Sequence, residues 1–113
     1  RVSDLAYSQF IQEELPRHEL LGELVEGKLI YHPTVTRESF RTQGRLTDQI
    51  REGSLAEMVD LPPLDPAADR FMLCGSPGML DDTRRLLDER GFVVSPRIGE
   101  PGDYVIERAF VEK

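Results

Sequence analysis

The chain has 113 residues, enough for one domain of ordinary size with a modest core. Its 21 Asp and Glu residues outnumber 14 Lys and Arg residues, and the formal net charge of -7 argues against general binding to nucleic acids or anionic membranes. One cysteine cannot form an internal disulfide, and no apolar run approaches the ~20 residues of a membrane helix. We therefore expect a soluble protein of a reducing compartment, the cytoplasm.

The first part of the chain predicts a helix and then a strand. Ser3 offers an N-cap to a helix whose apolar residues pair at four-residue spacing, and Pro16 ends this helix or marks a break. Residues 28–32 predict a strand. Pro33 lets that strand continue to Thr36 only where its end is irregular or uncovered.

The middle of the chain predicts two short helices and a connector. An amphipathic run at 45–50 ends at Gly53, and Ser54 caps a further helix that runs to Met58. The proline-rich stretch at 61–66 predicts an extended surface connection to the next strand.

The clearest local pattern is a strand, a tight turn and a helix at 69–91. Residues 71–74 are an apolar run of strand length that ends at Gly75. Ser76 is a good N-cap, Pro77 suits the first helical position, and Gly91 suits the C-cap.

The last part predicts a strand at 92–94, a turn at 100–103 and a final strand at 104–111. The alternation of helices and strands predicts an α/β fold, an open and mostly parallel sheet with helices on both faces. The first helix has no preceding strand to pack against, and the chain does not begin with Met. We therefore expect a longer protein whose first strand of this sheet precedes the chain.

Two standard phosphate loops and the usual metal spacings are absent from the sequence. It contains neither G-x-G-x-x-G nor G-x-x-x-x-G-K-[ST], and Cys74 has no C-x-x-C partner. His18 and His32 are single and lack metal-ligand spacing, so we interpret them as surface or hydrogen-bonded histidines. No metal site is predicted.

Cys74 has two interpretations. It could be a small buried hydrophobic residue at a strand end. Alternatively, Gly75 and Ser76 let a flat ligand approach the backbone closely, with a helix N-terminus behind it that favours negative charge. Ligands collect beyond the carboxyl ends of strands in open α/β sheets, so the thiol would then touch such a ligand.

A local excess of positive charge marks a second candidate site. Four arginines lie in the segment from Pro33 through Arg51, which includes Arg51 itself, against Glu38 and Asp48. Arginine side chains and a threonine hydroxyl suit a phosphate group, and Phe40 is suited to stack on a base. The alternative is a solvated loop.

These motifs together resemble one family. CGSPGM after an apolar strand, VTRE followed by GR, and GDYVIERAFVEK at the carboxyl end closely resemble the bacterial ferredoxin (flavodoxin)–NADP reductases over essentially the whole chain. The resemblance implies a Rossmann-like NADP-binding domain that follows an FAD-binding β-barrel. Residues 1–113 would be part of the NADP-binding domain, without the barrel, its R-x-Y-S flavin motif and the G-T-G-x-A-P pyrophosphate loop. We therefore expect the 113 residues alone to be inactive.

The resemblance implies two catalytic residues. Cys74 would lie against the nicotinamide where hydride passes to the flavin, and Glu107 matches the carboxylate near the nicotinamide and the flavin ring. The residues that would bind the cofactors FAD and NADP are Arg1, Thr36, Arg37, Phe40, Arg45, Gly75, Ser76, Ala109 and Phe110.

Among these cofactor-binding residues, Thr36 and Arg37 would hold the 2'-phosphate of NADP, with Arg45 and Arg1 around it. At Gly75 and Ser76 the cofactor would approach the backbone closely. Ala109 stands where plant relatives carry a tyrosine stacked on the flavin ring, and Phe110 would lie along the FAD.

The function implied is a flavin-dependent reductase that transfers electrons between NADPH and ferredoxin or flavodoxin, this chain supplying the NADP-binding half. Its partners would be NADPH, the electron carrier and the N-terminal part of the same protein. The alternative is a non-catalytic nucleotide-binding or interaction module, which needs no flavin. A flavin spectrum in the purified protein would distinguish the two.

Overall fold

The computed structural model describes residues 1–40 and 42–108. The chain divides into two compact units, Arg1–Gln49 and a second unit that begins at Ile50. The predicted end of the last strand and the predicted FAD-binding residues Ala109 and Phe110 lie outside the described residues. Of the helices in the described ranges, none has the length and apolar character needed to cross a membrane.

Short helical segments make up much of the first unit. They are a 3-10 turn at Val2–Asp4, a π-helix at Phe10–Glu14, a 3-10 turn at Leu15–Arg17 and the α-helix α1 at Gly22–Val25. The predicted first helix is thus present as 3-10 and π turns. Pro16 lies in the last of these turns, and its missing amide hydrogen prevents a regular α-helical bond there.

The predicted strand at 28–32 is wrong. These residues are irregular, and the side chains of Leu29 and Ile30 are exposed. A strand needs a partner for its amide and carbonyl groups, whereas the apolar pattern of the sequence reports only a local preference. In the described part of the first unit, the pairing instead forms further on, as an isolated parallel bridge between Val35 and Gln43.

Two short helices follow, α2 at Leu46–Glu52 and α3 at Ser54–Met58. Gly53 separates them with φ +79°, a left-handed conformation that suits glycine. The predicted end of the helix that became α2, at Gly53, is confirmed. The predicted N-cap at Ser54 is wrong by one residue, because Gly53 occupies that position and Ser54 is the first helical residue.

The second unit contains a parallel two-stranded sheet, β1 at Phe71–Gly75 and β2 at Tyr104–Arg108. Phe71 pairs with Tyr104, and the register continues to Gly75 opposite Arg108. The helix α4, Pro77–Glu89, connects the strands and packs against β1. The predicted α/β class with an open parallel sheet is confirmed.

Both ends of α4 are fixed by the predicted residues. The Ser76 hydroxyl accepts a hydrogen bond from the Met79 amide at 3.3 Å, and Pro77 is the first helical residue. At the other end Gly91, with φ +88°, lies just beyond the C-cap, and the amide of Phe92 donates to the Leu87 carbonyl at 3.0 Å. This pattern is a Schellman motif, which satisfies carbonyls at the end of the helix.

The predicted strand at 92–94 is wrong. Of residues 92–94, Val94 alone pairs with β2, through an isolated bridge to Tyr104. The amide of Ser95 donates to the Tyr104 carbonyl at 2.9 Å, but its hydroxyl donates to the Glu100 carbonyl at 2.6 Å and holds the following residues in a loop, so the pairing does not extend into a strand.

The core of the second unit lies between the sheet and α4. Its buried residues share one cluster and are Leu73, Leu80, Leu87, Phe92 and Tyr104. Phe71 and Phe92 meet edge to face with ring centroids 5.1 Å apart. Tyr104 is 1% exposed, and its hydroxyl donates a hydrogen bond to the Asp88 carboxylate of α4.

We expect Tyr104→Phe to lower the free energy of unfolding by about 1 kcal/mol, because the ring stays and only the bond to Asp88 is lost. Burial, and then that bond, raises the pKa of Tyr104 from 10.0 to about 12. The contribution of the protonated Tyr104 hydroxyl to the free energy of unfolding is complete below pH 10 and is lost as the pH rises through 12. Denaturant unfolding of the intact protein measures both effects.

Tyr7→Phe is the control for this experiment, because the Tyr7 side chain is 74% exposed. Equal stability of the Tyr104→Phe variant and the unsubstituted protein would show that the bond to Asp88 makes no net contribution.

Candidate functional site

The carboxyl ends of β1 and β2 bring two predicted catalytic residues together. Cys74 of β1 is the register partner of Glu107 on β2. Side chains opposite each other in a parallel pair point to the same face. Leu73 and Tyr104 point into the core, whereas Cys74 and Glu107 are exposed, so both lie on the face opposite the core.

Cys74 is a free cysteine with an exposed side chain. The interpretation of Cys74 as a buried hydrophobic residue is therefore wrong in this structure. Alternation along β1 explains the exposure, because its neighbour Leu73 takes the core position.

A cavity of about 700 Å³ lies over this face. It is lined by Cys74, Glu107, other residues of the two strands and the loop at 94–100. The loop approaches closely at Gly102, where a Cβ atom would come within 2.4 Å of the Ser95 nitrogen. Glycine is therefore required for the loop to lie against the start of β2.

Gly75 and Ser76 form the turn between β1 and α4, directly after Cys74. A Cβ atom on Gly75 would lie 2.4 Å from the Met79 sulfur, so a side chain there would displace Met79. The backbone of this turn, the thiol of Cys74 and the carboxylate of Glu107 thus belong to one end of the sheet.

The second candidate site lies in the first unit, in a segment that we call the arginine loop, residues 36–40. Backbone bonds close its base: the Val35 amide donates to the Thr42 carbonyl at 3.1 Å, and the Gly44 amide donates to the Val35 carbonyl at 2.9 Å. Val35 is buried, whereas Thr36 and Arg37 are exposed. The two residues predicted to hold a phosphate are therefore accessible to solvent and sit on an anchored base.

Other predicted cofactor-binding residues lie in the same unit. Arg1 is exposed, and the amide of the next residue donates a long hydrogen bond, 3.4 Å, to the Glu38 carboxylate of the arginine loop. Arg45 is exposed and immediately precedes α2, and Phe40 is half-buried. The structure thus brings the start of the chain to the loop that carries Arg37.

Sequence reasoning missed a polar cluster behind the arginine loop. Gln49 of α2 is 4% exposed, and its side chain bonds both His32 and Thr34. In the sequence, Gln49 is an uncharged polar residue next to Ile50 in an amphipathic helix. This pattern does not reveal which residues Gln49 contacts. His18 is a hydrogen-bonded histidine, as predicted, since its Nδ1 accepts from the amides of Leu20 and Leu21 at 3.1 Å each.

Within residues 1–40 and 42–108, no group of three or more His, Cys, Asp or Glu side chains could hold a metal ion.

Comparison with known proteins gives consistent matches. The chain is 62% identical to a ferredoxin–NADP reductase of Azotobacter vinelandii over 113 residues, all of this chain and 44% of that protein. It is 60% identical to a ferredoxin–NADP reductase of Pseudomonas aeruginosa over 112 residues, 99% of this chain and 43% of that protein. The chain thus spans less than half the length of these curated relatives.

A solved structure supports the same relationship. The crystal structure of a ferredoxin–NADP⁺ reductase from Neisseria gonorrhoeae with bound FAD and NADP superposes with a TM-score of 0.66 at 28% identity, over 88% of this chain and 41% of that one. No family model matches the chain. The predicted resemblance is nevertheless confirmed: over its whole length, this chain is similar to part of the ferredoxin–NADP reductases.

Proposed function

We propose that the protein containing this chain is a flavin-dependent reductase that transfers electrons between NADPH and ferredoxin or flavodoxin, with this chain as part of its NADP-binding half. One observation carries the proposal. The free thiol of Cys74 and the carboxylate of Glu107 are register partners on one face of a parallel sheet, beside the turn at Gly75 and Ser76. They occupy this position in a chain 62% identical to a ferredoxin–NADP reductase.

The residues around Cys74 fit a nicotinamide ring. The cavity of about 700 Å³ falls within the range of about 300–1,000 Å³ common for small-molecule sites. The end of the sheet offers a glycine, a small thiol and a carboxylate, which together leave space for a flat ring and an acceptor for its carboxamide. In an open α/β sheet this is also where ligands bind.

FAD, when bound, would accept the hydride and pass single electrons to the carrier protein. The residues of this chain would supply position and charge. Cys74 would pack against the nicotinamide and fix its distance from the flavin, while Glu107 would accept a hydrogen bond at the polar edge of the ring. Ala109 and Phe110 remain predicted flavin contacts.

The arginine loop supports a site for the 2'-phosphate of NADP. Arg37 and the hydroxyl of Thr36 are exposed on a base anchored by Val35. Arg1 and Arg45 are exposed in the same unit and would add positive charge. The chain as a whole carries a net charge of -7, so a local cluster of cations is the feature suited to a phosphate dianion.

The functional test uses the intact protein. NADPH-dependent reduction of ferredoxin or flavodoxin by a purified, flavin-coloured protein is the expected result. A colourless intact protein that binds NADP but reduces neither carrier would instead favour a nucleotide-binding module. The cytoplasm is the proposed location, because the single cysteine of these 113 residues has no internal disulfide partner and a soluble electron carrier suits a reducing compartment.

The isolated 113 residues are expected to bind FAD poorly or not at all. Cofactor sites usually bury most of the ligand surface, and this chain would offer only its carboxyl-terminal residues and one edge of the cavity. Titration of the isolated chain with FAD, followed by the visible flavin absorption, should show no saturable change. The intact protein is the positive control, and tight stoichiometric binding by the isolated chain would contradict the prediction.

A further inference from the structure

A chain of three polar contacts lies behind the arginine loop. The Gln49 Oε1 lies 3.0 Å from His32 Nε2, and the Gln49 Nε2 donates to the Thr34 hydroxyl at 3.1 Å. The Thr34 hydroxyl in turn donates to the carbonyl of Gly44 at 2.7 Å. An amide oxygen can only accept, so His32 donates from Nε2 in this arrangement.

These contacts join the two stems of the arginine loop. Thr34 precedes the loop and bonds Gly44, which follows it, while Gln49 ties Thr34 to α2. The backbone bonds of Val35 with Thr42 and Gly44 lie in the same place. The exposed residues Thr36 and Arg37 therefore lie in a loop whose two ends are held by hydrogen bonds on its less exposed side.

The geometry points to Gln49 as a positioning residue for the recognition of the 2'-phosphate. This inference rests on the proposed function of the arginine loop. Gln49 is 4% exposed and touches no ligand in this role. It acts by tying the stem before the loop, at His32 and Thr34, to the helix that follows the loop, so that less conformational freedom is lost when Thr36 and Arg37 close on a phosphate.

The chemistry of the cluster requires an amide at position 49. Thr34 uses its hydrogen on Gly44, so its oxygen needs a donor, while His32 Nε2 needs an acceptor. Glutamine supplies both groups from one side chain. Glutamate would supply an acceptor but no donor, and leucine would supply neither, which would leave the half-buried polar groups of His32 and Thr34 without this partner.

The test is the cofactor preference of the intact protein. Gln49→Leu should raise the KM for NADPH by about three- to tenfold, because the competent loop conformation is less populated. The KM for NADH and kcat should stay unchanged, since NADH has no 2'-phosphate. Gln43→Leu is the matched control, an exposed glutamine in the same segment, and should change neither KM.

A second pair of variants covers the case in which Gln49→Leu does not fold. Thr34→Val removes the hydroxyl and keeps the shape, whereas Thr34→Ser keeps the hydroxyl. We expect the selective rise in the KM for NADPH with valine and its rescue with serine. A merely structural role would lower the melting temperature and affect both cofactors equally, and that result would overturn the inference.

Arg37→Ala, measured in the same series, separates the two levels of the proposal. If Arg37→Ala raises the KM for NADPH selectively but the Gln49 and Thr34 variants do not, Gln49 is not a positioning residue and the proposed phosphate site stands. If none of the variants distinguishes NADPH from NADH, both the phosphate site and the positioning role fail.

Discussion

Replacing Cys74 with serine in the intact protein is expected to slow hydride transfer by up to about 100-fold, the cost of misplacing a reacting group by about 1 Å. Cys74 is exposed at the carboxyl end of β1, next to Glu107 on the same face. A hydroxyl is smaller than a thiol and more strongly hydrated, so a nicotinamide ring packed against the serine would lie at a different distance from the flavin. Because this contact is not the main source of binding, the affinity for NADP should change by only a few-fold.

Stopped-flow reduction of the flavin by NADPH measures this step directly. Met58→Leu is the control: Met58 ends α3, its side chain is 53% exposed, and it does not line the cavity over Cys74. It should leave the rate unchanged. A Cys74→Ser variant with an unaltered rate of flavin reduction would show that Cys74 has a structural role and does not position the nicotinamide.

The sequence predicts α4 and its neighbours well because their determinants are local. Ser76 caps the helix, Pro77 starts it, and Gly91 turns the chain out of it, all within the segment that they define. β1 lies next to this helix and has a partner in β2. Local signals and tertiary packing therefore agree in this region.

The errors arise where the structure depends on contacts distant in sequence. The segment at 28–32 contains residues that favour strands, but a strand also needs a neighbour, and the side chains of Leu29 and Ile30 remain exposed. At 92–94, the pairing with β2 is limited to Val94, because the chain then enters the loop held by the Ser95 hydroxyl. Strand composition reports a preference, whereas pairing depends on what lies alongside.

The same distinction holds for the candidate sites. The position of Cys74 at a strand end could be predicted from the residues around it. Its pairing with Glu107 joins positions far apart in the sequence, so only the resemblance to a known family suggested that the two residues act together. The contacts of Gln49 with His32 and Thr34 have no sequence signature, because a buried glutamine and an exposed one look alike in a helical pattern.

Arg37→Ala is expected to raise the KM for NADPH by about tenfold and to leave that for NADH nearly unchanged. The 2'-phosphate is the chemical difference between the two dinucleotides, so groups that reach it must provide the discrimination. A guanidinium can give a phosphate two charge-assisted hydrogen bonds, each hydrogen bond to a charged group contributing about 1.5–3 kcal/mol. Arg37 is exposed, so we expect solvent screening to reduce the contribution of the two bonds together to about 1.4 kcal/mol, which is tenfold in affinity.

Steady-state kinetics with both cofactors over a range of salt concentrations tests this role. The loss caused by Arg37→Ala should become smaller as salt rises, because salt already weakens an exposed ionic contact. Arg17→Ala is the matched control, since it removes the same charge from an exposed arginine of the same unit outside the arginine loop. If Arg37→Ala weakens NADPH and NADH equally, Arg37 supports the fold or the pyrophosphate common to both cofactors, and the 2'-phosphate must be bound elsewhere.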